Sequence, residues 1–86
     1  MTDLIVPKVH KNGTSKKELL EQISAANRAL IIAIDRIDEM RPNGRDYYLT
    51  GNLKEAQTQS QAWLKKIHEV KNEIMAVGEA IADQED

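Results

Sequence analysis

The chain contains no cysteine. That removes disulfide staples, thiolate zinc sites and thiol nucleophiles together, and it fits a reducing compartment. Phenylalanine is also absent, and Tyr47, Tyr48 and Trp63 give an aromatic share of only 3 %. Any core must therefore be aliphatic. Neither sign of charge dominates: fourteen acidic residues stand against twelve basic ones, a formal net charge of −2. Without a global basic field, duplex nucleic acid is not an expected partner. Long apolar runs are missing as well. The longest, Ala29 to Ile34, spans six residues, whereas about 20 are needed to cross a bilayer. The opening MTDLIVPKVHKNG has no signal-peptide core. These absences lead to the expectation of a soluble, cytoplasmic protein with no membrane contact.

What remains is 86 residues of mostly helical pattern, enough for one small domain. Only two prolines punctuate it, Pro7 and Pro42. Residues 1–14 differ from the rest. Leu4, Ile5, Val6 and Val9 are aliphatic, Pro7 biases Val6 away from helix, and Asn12-Gly13 is a turn signal. This stretch reads as an extended N-terminal arm, packed against its own helices or a neighbour's.

A helix is predicted over about 15–41. Ser15 and Glu18 form a capping-box pair. Apolar residues then recur at alternating steps of four and three: Leu19, Ile23, Ala26, Leu30, Ala33, Ile37, Met40. Leu20, Ile31 and Ile34, with Ala29 and Ile32, widen the stripe, so the middle of this helix needs cover from more than one side. Pro42 ends the helix. Pro42-Asn43-Gly44 supplies a turn in which Asn or Gly is free to adopt positive φ.

A second helix is predicted over about 52–83, capped by Asn52 with Glu55, with Thr50 as a second candidate cap. Its seam runs Leu53, Ala56, Ser60, Trp63, Ile67, Val70, Ile74, Val77, Ile81. Ser60 is a polar notch that sets register, and Trp63 reads as core or interface. Gly78 weakens the last turns by about 1 kcal/mol relative to Ala and allows another helix to approach closely. Residues 84–86 form an acidic tail that frays.

The expected fold is all-α: an antiparallel αα-hairpin over residues 15–83, following an arm at 1–14. One hairpin leaves Ile31, Ile32, Ile34, Leu64 and Met75 partly in water, each worth about 1.5–3 kcal/mol when fully buried. Self-association is therefore expected, most simply as two hairpins forming a four-helix bundle, or as a larger assembly.

The connection holds the candidate ligand-binding residues: Arg41, Asn43, Arg45, Tyr47, Tyr48 and Lys54. Arg grips phosphate or carboxylate with two donors. Tyr stacks or donates its hydroxyl, and helix N-terminal amides favour anions. The cluster suits a small anionic, nucleotide-like ligand. The alternative is that Tyr47 and Tyr48 close the bundle end while Arg45 pairs locally with Asp46. Elsewhere the residues read as ordinary surface. His10 and His68 lie in no metal-ligand pattern, and Asp35, Asp38 and Glu39 form a solvated charged face. No catalytic signature, metal site or cofactor site is present in the pattern, and an enzyme is not expected.

At PNGRDYY, residues 42–48, the chain resembles a group of small bacteriophage and bacterial proteins with no assigned activity. In these a helix ends in an NGRDYY-like connection and a second charged, alanine-rich helix follows. The likeness covers about residues 15–82 and implies that Asn43 to Tyr48 form a recurring element. It carries over no catalytic residues. A phage origin would place the protein in host cytoplasm. By analogy with small oligomeric phage proteins, it would then act against host defence, by sequestering a nucleotide signal or binding a defence protein. Two other readings stay open: a protein–protein adaptor or inhibitor working through a helical surface, and a purely structural helical protein.

Overall fold

A computed structural model describes residues 3–85, and those residues form three helices and no strand. The first, α1, is Lys16–Glu39. Ser15 has extended backbone, and its Oγ accepts from the Glu18 N–H at 3.1 Å, so this end begins where the capping residue predicts. At the other end the Met40 and Arg41 amides fold back onto Ile37 and Asp38 carbonyls. Pro42, which has no N–H to donate, follows immediately. The short α2 is Gly44–Tyr47, and the long α3 is Leu53–Ala82.

The two long helices pack against each other. At about 1.5 Å per residue, the 30 residues of α3 supply about 45 Å of a rod whose principal extents are 61 × 26 × 16 Å. The helices approach closely at Gly78, where an added Cβ would lie 3.0 Å from Ile23 Cγ2. The glycine thus does what the sequence suggests, and the helix it admits is α1.

The contact line differs from the expected seams by one position in places. On α1 Leu20, Asn27 and Ile34 are covered along with the seam residues Leu19, Ile23, Leu30, Ala33 and Ile37, while Ala26 is exposed. On α3 Leu64, Lys71 and Gly78 are covered along with the seam residues Leu53, Ala56, Ser60, Ile67, Ile74, Val77 and Ile81. Trp63 is 44 % exposed, Val70 47 % and Met40 65 %. Three-four spacing defines an apolar stripe broader than one helix-to-helix contact, and α1 meets α3 along one edge of it. Asn27 lies on that line with a buried Oδ1 that has no hydrogen-bond partner. An orphaned amide oxygen of this kind costs about 1–3 kcal/mol.

Residues 3–10 carry no regular secondary structure. They are tied to the far end of the chain by one side chain. Gln84 Oε1 accepts from the Val9 N–H at 2.8 Å, and Gln84 Nε2 donates to the Pro7 carbonyl at 2.8 Å. Lys16 Nζ donates to the Gln84 carbonyl at 2.6 Å. A single amide thus satisfies the backbone groups on both sides of Lys8, as a neighbouring strand would. Next to this clasp, Ile81 is 1 % exposed, the one apolar side chain buried almost completely among the described residues. Gln84 was grouped by composition with a fraying tail; its partners instead hold the two chain ends together.

Candidate functional site

The connection is built around Asn43. Its Oδ1 accepts from the Arg45 N–H at 3.0 Å and the Asp46 N–H at 3.3 Å, and its Nδ2 donates to Asp46 Oδ2 at 3.0 Å. These bonds cap α2 and use the whole amide. Asn43 therefore shapes the turn. Asp46 is engaged by Asn43, and the local Arg45–Asp46 pair of the alternative reading is not found among the described residues.

The other end of α2 is closed by Gly51, the one residue with positive φ among the described residues, at 70°. Its N–H donates to the Tyr47 carbonyl at 2.9 Å, a left-handed helix stop. Positive φ was expected at Asn43 or Gly44 and falls seven residues later, because Pro42-Asn43 starts a helical turn and the chain reverses only after it. A glycine following Tyr-Tyr-Leu-Thr is the available signal for such a stop. Asn52 makes no side-chain cap to α3. Its Oδ1 accepts instead from Thr50 Oγ1, which also donates to the Tyr47 carbonyl at 3.3 Å.

The six candidate residues are thus placed in different settings. Arg41 is exposed and pairs with Asp38 one helical turn back. Asn43 is used internally, as above. Tyr47 is half-buried. Tyr48 is 79 % exposed, beside Leu49 at 88 %. Arg45 and Lys54 are exposed. A cleft of about 390 Å³ lies beside the end of α1, lined by Arg41, Pro42, Gln57, Ser60, Gln61 and Leu64. Arg41 is the one candidate residue on its wall.

Among the described residues, no group of three or more His, Cys, Asp or Glu side chains is placed to hold a metal ion. No described helix is long and apolar enough to cross a membrane. No family model, curated protein or solved structure matches the chain.

Proposed function

We propose that this protein is a non-enzymatic, homo-oligomeric binding protein. Its 41–54 connection takes a small anionic, nucleotide-like ligand, in the manner of phage proteins that withhold such a ligand from host defence. In this reading residues 1–14 act as an arm, the hairpins join into a four-helix or larger bundle, and the protein works in host cytoplasm.

The observation that carries the reading is the display of Tyr48. It stands 79 % exposed, three residues from Arg45, whose side chain has no hydrogen bond or ion pair to the described residues. Asn43 and Gly51 fix the backbone on either side of this pair. An aromatic face beside an uncommitted guanidinium is suited to a stacked, negatively charged guest. Neither residue lines the cleft beside the end of α1; in this reading a second copy supplies the facing wall.

The test is mass spectrometry of small molecules released from protein purified from its native setting, for the natural chain and for the double variant Arg45→Ala, Tyr48→Ala. The expected result is a nucleotide-class anion from the natural chain and none from the variant, with thermal unfolding unchanged. Equal release from both, or release from neither, would overturn the proposal.

A second reading, a protein–protein adaptor working through a helical face, is favoured by Trp63, Val70 and Met40. These large apolar side chains remain substantially exposed on the hairpin. Under that reading, substitutions on this face abolish capture of a partner while the Arg45→Ala, Tyr48→Ala variant retains it.

A further inference from the structure

Of the large apolar residues exposed on the hairpin, Met40, Trp63 and Val70 share one side, whereas Ile31, Ile32 and Met75 lie off it. Each helix has two flanks beside its contact line. One flank of α1 carries Lys17, Ser24, Ile31 and Asp38, and the α3 residues on that same side are Gln61, His68, Met75 and Ala82. That side is mixed. The other side carries Ala26 and the half-buried Ala33 from α1, Met40 just past its end, and Trp63, Val70 and the half-buried Val77 from α3, all six apolar. Both sets immediately precede or flank contact-line residues. In two antiparallel right-handed helices, such positions fall on the same side of the hairpin.

The spacing stacks them in layers. Ile23 faces Gly78 across the contact, so residues whose numbers sum to roughly the same value share a level. Met40 then sits level with Trp63, Ala33 with Val70, and Ala26 with Val77. The layers recur every seven residues, two turns of helix, and taper from large to small away from the connection.

We infer that a second copy of this chain covers this side, antiparallel to the first, with the two connections at opposite ends. This rests on the reading of the protein as a homo-oligomer and adds which side pairs and which way round. Two observations choose the arrangement. A twofold axis through the Ala33–Val70 layer sets Met40 against the second copy's Ala26, and Trp63 against its Val77, so large meets small. It also sets Lys66 level with the second copy's Glu73, twice by symmetry, on the outer edge of the α3–α3 contact. If the two connections lay at the same end, Met40 and Trp63 would crowd the same two side chains of the other copy. Lys66 would then lie level with the second copy's Arg36, like charge against like.

The covered face spans about 14 residues of helix, so it is about 21 Å long and 20 Å wide. That is on the order of 400 Å² from each copy, or 800 Å² in total, the size of a weak, concentration-dependent interface.

The test combines charge reversal with a distance. Sedimentation equilibrium should give a dimer whose dissociation constant rises about tenfold in Lys66→Glu. It should return to within about threefold of the natural value in Lys66→Glu, Glu73→Lys. Spin labels on Lys54→Cys, in a chain with no other cysteine, should lie about 50 Å apart, since residues 54 and 70 are separated by about 24 Å of helix in each copy. A dimer whose labels lie within about 30 Å, or one that ignores both charge changes, would overturn this arrangement and leave the homo-oligomer reading standing. A folded monomer at all concentrations would overturn both.

Discussion

At the end of the hairpin where Gln84 is hydrogen-bonded to Pro7 and Val9, Ile81 is 1 % exposed. At the connection end, Tyr48 and Leu49 stand 79 % and 88 % exposed, with Met40 at 65 % nearby. The chain buries Ile81 at one end, where Ile5 is nonetheless 92 % exposed, and leaves Tyr48, Leu49 and Met40 exposed at or near the other. A protein of this size has little core in reserve. Apolar groups displayed on a turn held by two separate stops, Asn43 and Gly51, are therefore available for contact with something outside the chain.

The largest expected difference between the ends comes from Ile81→Ala. Removing the most buried side chain should cost about 2–4 kcal/mol in thermal or urea unfolding at fixed protein concentration. A loss no greater than that of an exposed Leu49→Ala would break the contrast. Gln84→Ala should cost about 1 kcal/mol. Its signature is local: hydrogen exchange at the Val9 amide should accelerate while the centre of α3 stays protected. Asn43→Ala should also cost about 1 kcal/mol, since it removes the cap of α2. That sharpens the division at the connection between residues that build the turn and residues that the turn presents. Arg45→Ala with Tyr48→Ala should change stability least, by less than about 0.5 kcal/mol, because neither side chain is built into the hairpin. A loss of 1 kcal/mol or more would make them structural.

The helices were legible in the sequence because their signals are local. Ser15 stands before the first periodic residue, Pro42 follows the last, and the three-four spacing runs between them. Which edge of the stripe touches the partner helix was not legible. Ala26 and Asn27, or Trp63 and Leu64, differ by one step, and periodicity cannot say how many neighbours share an apolar stripe. The Gln84 clasp joins groups 77 and 75 positions apart, so no window of sequence contains it. At the connection the residue types were evident, but their commitments were not. Whether Asp46 meets Arg45 or Asn43, and whether Arg41 is held by Asp38, depends on the direction in which α2 leaves the turn.

Trp63 is the only tryptophan, 44 % exposed on the side proposed to receive a second copy. Its fluorescence emission followed through a dilution series, with circular dichroism recorded in parallel, tests most directly whether that side is covered by association. A shift to longer wavelength on dilution, with helical signal retained, is the expected result. Emission already at the solvent-exposed wavelength in concentrated solution, and unchanged by dilution, would contradict it.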